Sequence, residues 1–524
     1  MKMKQTEKYL ALAMPENRKR YEGWKQGLPE DWAGGQAAFL RMTGEYLRKE
    51  AEKPIEVNIG AHEAGGQFRI AIPYLTVRDD AALKEYMKKM VEARKAYTDK
   101  NQYHGYVDCH EVHHEIETYI YFQNPMVYYH LPGEETARQN IVDVAHHIGN
   151  WEPGVPDWYN WEKHEFVSNW LGTKGVRDYP PYDYQEGNHF RFIDEAICAY
   201  EITKEEKYLD LVKDYCDHWC DHIEKCAAAG GPIPCSILPE NVRAKEMSRA
   251  GVFEETQYTV FYSTVSDNTM YDIVSGLMDA YRLTENERYL RAAETMMEQF
   301  WAHGKDGRPA IRYKDGVWET QDGRGGKEET PAAYAAECSY LARLALRYHA
   351  LTGVPKYKDR ILTWAKSLDE ENKKGDQVMA NVFAAAHFYD GDARWLKRAY
   401  DELLRMGAVC EADDQFHQCA WSFTRQGGRF LMMYGFEPMT GACEWATRGG
   451  MPQDLLRHVT AGKTALDPDI AFRVWWKEGN TYAYEAINLG DRKISWQIED
   501  WNTGKKLAQV AVAPHGTICG EISI

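Results

Sequence analysis

A mainly α chain, folded as an (α/α)6-type helical toroid and closed by a small C-terminal antiparallel β domain, is the fold class this 524-residue sequence predicts. Three observations carry that expectation. A helical-hairpin signature recurs along the chain, long aromatic-rich insertions separate its copies, and the texture changes near residue 465. The expected division is residues 1–465 for the ring and 466–524 for a β-sandwich-like unit.

The hairpin signature appears when short segments are aligned. "AYEITKEEKYLDLV" from Ala199 and "AYRLTENERYLRAA" from Ala280 are the clearest copies. "RYHALTGVPKYKDRI" from Arg347 and "HFYDGDARWLKRAY" from His387 follow the same plan. Weaker copies are "PYLTVRDDAALKEYM" from Pro73 and "YYHLPGEETARQNIV" from Tyr128. Each has an apolar helix, an aromatic, a short polar turn and a second helix that opens on acidic residues. Acidic residues suit the positive end of a helix dipole, and the second helices carry apolar residues at helical spacing. About six hairpins at uneven spacing fit a closed ring better than a regular solenoid. The insertions, such as "NWEPGVPDWYNWEKHEF" from Asn150 and "RYKDGVWETQDGRGGKEET" from Arg312, are expected to build one face.

Beyond Asp467, "FRVWWKEGNTYAYEAINLGDRKISWQIEDWNTGKKLAQVAVAP" alternates apolar and polar residues between Gly- and Asn-containing breaks. Those are strands joined by turns. So few residues make a poor core alone, and packing against the ring is expected.

Composition excludes some partners. A net charge of −17 speaks against nucleic acid and anionic membranes, which need clustered Lys and Arg. The longest apolar run near the start, Leu10 to Met14, is too short for a secretory core, so a cytoplasmic location is expected. No segment reaches the about 18 apolar residues of a membrane span. Eleven cysteines, an odd number set mostly in helical sequence, read as reduced thiols. The 34 Tyr and 17 Trp can build a core and also stack sugar rings; Trp158 and Trp161 of the first insertion are candidate stacking residues.

"VDCHEVHHEIETYIYFQ" contains a literal H-E-x-x-H, His110 to His114. The metzincin continuation fails, since Glu117 and Ile120 stand where Gly and His are needed. The downstream Glu134 and Glu135 already have a role opening a second helix. His110 and His114 still share a helix face at i and i+4, the one pair a divalent metal could use; no other cofactor is indicated. The hairpin pattern gives the stretch a different meaning. It opens a first helix, and other first helices open on polar residues too: Asn188, His189 and Arg191; Asp267 and Asn268; Asp414 and His417. If first helices line the ring, their N-termini meet at one mouth. Imidazoles, carboxylates and an arginine gathered there suit acid–base chemistry on a bound sugar. A second cluster, "YCDHWCDHIEKCAAAGGPIPC", matches no zinc finger. Cys216 and Cys220 share one helix face and His218 and His222 another, which reads as packing thiols and surface histidines.

The order of segments resembles the toroidal carbohydrate-active enzymes, and most closely the bacterial β-L-arabinofuranosidase family. His110-Glu111 is similar to that family's His-Glu near the start of an inner helix. "GNHFRFIDEAICAYEITKEEKYLDL" is similar to its Gly-His hairpin, and "AAYAAECSYLARLALRYHALTGVPKYKD" to its Tyr-Ala-Glu-x-Cys helix. The family's Cys-Cys pair has no counterpart, because Cys410, Cys419 and Cys443 are isolated. The resemblance therefore implies the fold and a carbohydrate substrate, not a cysteine nucleophile. "SDNTM" from Ser266 is also similar to the unsaturated-glucuronyl hydrolases.

Two mechanisms fit an oligosaccharide substrate. A glycoside hydrolase, the first expectation, needs two carboxyl groups, and Asp267, Glu337, Glu186 and Asp414 are candidates. A polysaccharide lyase acting by β-elimination needs a base, a cation and an acid, for which His110, His189, Arg191 and Tyr258 are available. Asn188, Asn268 and His417 would contact substrate in either case. A sugar epimerase and a non-catalytic glycan binder are the remaining alternatives.

Overall fold

A computed structural model describes residues 28–52, 54–55, 74–75, 77–101, 134–180, 182–239, 251–252, 259–260, 265, 267–314, 316–320, 340–371, 380–411, 467–499 and 505–523. Its described helices are α1 (Trp32–Ala51), α2 (Ala81–Asn101), α3 (Glu135–Ile148), α4 (Phe190–Thr203), α5 (Glu206–Ala229), α6 (Asp267–Thr284), α7 (Glu287–Ala302), α8 (Tyr340–Thr352), α9 (Lys358–Glu371), α10 (Ala380–Asp390) and α11 (Ala393–Glu411).

Four hairpins, α4–α5, α6–α7, α8–α9 and α10–α11, turn in the same way, and the sequence shows why. Each first helix ends on a residue in the left-handed region: Lys204 (φ 60°), Glu285 (58°), Gly353 (70°) and Gly391 (71°). The backbone N–H of each donates to the carbonyl four residues back, on Tyr200, Tyr281, His349 and His387, at 2.7–2.8 Å. In three of the turns a threonine locks the exit. The hydroxyls of Thr203, Thr284 and Thr352 each donate to the carbonyl four residues earlier. Each also accepts the N–H two residues later, at 3.1–3.2 Å. Asp390 supplies the acceptor half of that arrangement in the fourth. Four residues after each left-handed residue comes a large ring: Tyr208, Tyr289, Tyr357 and Trp395, all buried. This anchor starts the second helix against the core. The weaker copies keep the capping chemistry, with Asp80 accepting from Leu83 N–H and Glu134 from Thr136 N–H.

The first helices pack side by side, α4 on α6, α6 on α8 and α8 on α10, while α5 packs on α7 outside them. At the other side α1, α2, α3 and α4 contact one another in succession, and α11 returns to α1. That last contact closes the circle. The fold is an (α/α) toroid.

The circle is keyed by Gln36 of α1, which is fully buried. Its amide nitrogen donates to Tyr400 Oη on α11 and to the Phe472 carbonyl, and its oxygen accepts the Phe472 N–H at 2.7 Å. Phe472 lies on β9 (Ile470–Glu478), which pairs antiparallel with β10 (Thr481–Asn488), itself paired with β13 (Thr517–Ser523). β11 (Ile494–Glu499) and β12 (Lys506–Val512) form a second antiparallel pair. Phe472 faces Ala486 across the ladder, so Gln36 pairs with the strand's outer edge as another strand would. β9 also packs on α10, and one apolar core runs from the helices into the strands. No described helix is long and apolar enough to cross a membrane.

Candidate active site at the loop face of the ring

The tight turns all lie at one end of the hairpins. The connections 149–189, 230–266, 303–339 and 372–379 therefore leave from the other end, where α4, α6, α8 and α10 begin. Adjacent first helices come close there. A Cβ on Gly276 of α6 would stand 2.2 Å from the Phe190 ring, so only glycine lets α4 approach this far.

A 3-10 turn, Gly187–His189, leads into α4 and rests on α6. His189 is fully buried and stacked on Phe166 at 5.0 Å. Its Nε2 lies 3.0 Å from the Ser168 carbonyl, which can only accept, so this nitrogen carries the proton. Nδ1 then accepts the Glu186 N–H at 3.1 Å. Burial holds the ring neutral, lowering its pKa to about 4. His189 thus clamps two stretches of backbone, and both ring nitrogens are used in doing so. What it positions is Glu186, a buried residue of β3 (Gln185–Glu186). β3 pairs with β4 (Ser236–Ile237), tying two of the loop-face connections together. Gln185 secures the other side by exchanging two hydrogen bonds with the Phe166 backbone.

Arg191, in the first turn of α4, donates from Nε to Asp272 Oδ2 of α6 at 3.0 Å, and both side chains are buried. A buried pair of this kind fixes geometry more than it adds stability. Asp267 and Asn268 open α6, Asn268 one helical turn before Asp272. Asn188 stands in the 3-10 turn that rests on this helix. The backbone therefore places Glu186, Asn188, His189, Arg191, Asp267, Asn268 and Asp272 on the elements that meet where two hairpins join. Asp272 was not singled out in the sequence. Its one signal is an acid inside the apolar run "TMYDIVSG".

The other expected residues are not part of this described group. His110, His114, Tyr258, Glu337, Asp414 and His417 lie outside the described residues. Trp158 is fully buried, donating from Nε1 to the Gly172 carbonyl and packing on His147 and Phe192. Its indole presents no face to a sugar. Trp161 is 37% exposed, but it sits in the turn between β1 (Tyr159–Asn160) and β2 (Glu165–Phe166). Cys216 and Cys220 are buried free thiols, raised by burial, Cys220 to about 12. His222, expected on the surface, packs edge-on against Trp219, and burial lowers it to about 4. Among the described residues no group of three or more His, Cys, Asp or Glu converges as a metal site.

No protein-family model and no curated protein matches this chain. Solved structures do. It is 13% identical to an unsaturated glucuronyl hydrolase specific for heparin, over 74% of this chain and 99% of that one, with a TM-score of 0.43. A second unsaturated glucuronyl hydrolase, from Bacillus sp. GL1, is 12% identical over 71% and 96%, with a TM-score of 0.42. A GH127 β-L-arabinofuranosidase from Geobacillus stearothermophilus T6 is 9% identical over 100% and 81%, with a TM-score of 0.24.

Proposed function

We propose that this chain is a glycoside hydrolase acting on oligosaccharides at the loop face of the ring. The observation that carries the reading is that acidic residues in unlike settings lie on the elements that meet where two hairpins join. Glu186 is held on a backbone clamped by His189, whereas Asp272 is neutralised by Arg191. Asp267 opens the same helix as Asp272. Glycosidic hydrolysis needs a proton donor to the leaving oxygen and an ionised carboxylate to activate water or attack carbon. Glu186 and Asp267 are the pair assigned to those roles. The buried Arg191–Asp272 pair holds the two first helices in place beside them, and Asn188 and Asn268 are assigned to substrate hydroxyl groups. A lyase would instead ask a cation to neutralise a uronate, and the Arg191 Nε is already committed to Asp272.

The test is to incubate the protein with pectic, glycosaminoglycan and arabinan oligosaccharides while recording reducing ends and absorbance near 235 nm. Reducing ends without new absorbance are expected. Rising absorbance means β-elimination and overturns the hydrolase; epimer exchange without cleavage does so too. Glu186→Gln and Asp267→Asn should each lower kcat by about 10²–10⁴-fold without unfolding the protein. Near-normal turnover in both would place the chemistry elsewhere.

A further inference from the structure

The turn between β1 and β2 carries an arrangement that the loop-face site does not use. Asn160 accepts the N–H groups of Glu162 and Lys163 through its side chain, at 3.0 and 3.1 Å, and stiffens the turn. His164 closes it with φ at +60°, a conformation that costs an L-residue about 1 kcal/mol and suits Gly or Asn better. The histidine is nonetheless held firmly. Its Nδ1 lies 2.8 Å from Asp214 Oδ1 on α5, and the other oxygen of that carboxylate accepts the Tyr159 hydroxyl at 2.6 Å. A carboxylate only accepts, so Nδ1 carries a proton. Nε2 is left with no partner among the described residues, on a ring that is 55% exposed. Strain sustained by a dedicated carboxylate is what a ligand-contact position looks like.

Trp161 stands three residues earlier in the same turn. Its ring packs edge-on against Tyr159 at 5.0 Å and at a tilt against Trp151 at 6.3 Å, which fixes it while leaving part of it in water. Both flank Tyr159: Trp161 touches the ring and His164 reaches its hydroxyl through Asp214. An apolar plane and an imidazole nitrogen, each fixed on one short turn, are the two contacts a saccharide uses: a C–H face stacks on indole and a hydroxyl bonds to Nε2. The place is separate from the loop-face group. Asp214 belongs to α5, a second helix, and the first helices α4 and α6 lie inside it. Between the two sites stands Phe166, packed on His189 at 5.0 Å and on Tyr159 at 5.2 Å and bonded through its backbone to Gln185.

We propose that Trp161 and His164, over the Tyr159–Asp214 pair, form a second saccharide-contact site on the outer wall of the ring, one that holds a longer glycan while another part of it is cut. The proposal rests on the carbohydrate reading above. Its test is native electrophoresis of the full chain through gels containing arabinan, homogalacturonan, xylan or chondroitin sulfate. The wild type, Trp161→Ala and His164→Asn are compared, since asparagine tolerates the left-handed turn and keeps the fold. At least one polysaccharide should retard the wild type, and each variant should weaken that retardation by about fivefold or more in apparent Kd. Turnover of short oligosaccharides should stay within about twofold. Three results overturn the proposal: equal retardation of variants and wild type, no retardation of the wild type, or loss of short-substrate turnover in the variants. Turnover without retardation removes the outer site alone. Retardation without turnover removes the hydrolase and leaves the outer site standing.

Discussion

Gln36→Leu removes the amide that closes the ring and leaves a side chain of similar volume in its place. The amide serves three groups, namely the Phe472 N–H, the Phe472 carbonyl and Tyr400 Oη, at 2.7–2.8 Å. The site is fully buried, so water cannot take over. A buried polar group left without its partner costs about 1–3 kcal/mol. Three of them amount to about 3–9 kcal/mol, against which leucine recovers about 2 kcal/mol of apolar burial. A net loss of about 1–7 kcal/mol is expected. Urea unfolding followed by tryptophan fluorescence reads the total. Native-state hydrogen exchange locates it, because the Phe472 amide should lose protection before the β9–β10 ladder does. A variant within about 0.5 kcal/mol of wild type, with Phe472 still protected, would refute the view that this residue holds strand and ring together.

Lys204→Gly and Glu285→Gly should each stabilise by about 0.5–1 kcal/mol in thermal melts, because glycine relieves the left-handed turn at little cost there. Gly391→Ala, in the equivalent turn, should destabilise instead, since its Cβ would stand 2.4 Å from the Trp475 indole. Arg191→Met should cost about 3 kcal/mol or more by removing the cation that faces the buried Asp272, and Arg191→Met with Asp272→Leu should cost less than that single change; equal losses in urea titrations would deny the coupling. His387 is fully buried with Nε2 3.4 Å from Arg473, and burial together with that charge lowers its pKa to about 3. Below its ordinary value of 6.5 the unfolded chain binds a proton that the fold refuses, so stability falls with pH by about 1.4 kcal/mol per unit, and His387→Gln should remove about 2 kcal/mol of the loss between pH 7 and 5.

The hairpins were legible because everything that makes them is local. Thr203, Thr284 and Thr352 bond within six residues of chain, and the ring that anchors each second helix comes four residues after the left-handed position. Seen in one copy these are ordinary residues; repeated from turn to turn they are a rule for turning the chain. The strands were legible for the same reason, since alternation in "TYAYEAIN" faces one side to the core.

The loop-face group was only half legible, and the residues say why. His189 looked like an acid or base because an imidazole beside a helix start in a polar stretch is what acids and bases look like. Its partners are backbone groups, and one of them, the Ser168 carbonyl, lies 21 positions earlier. Backbone partners leave no trace in side-chain identity. Arg191 was singled out but its counter-ion was not, because Asp272 is 81 residues away and meets it only once the first helices stand side by side. His164 and Asp214 are 50 residues apart and fit no motif. A toroid makes this the usual case: each hairpin folds from its own sequence, while any site at the loop face or between the loop and the wall is assembled from separate hairpins. The repeat therefore shows where chemistry can collect. Which side chains meet there is decided by contacts between copies, where the repeat is silent.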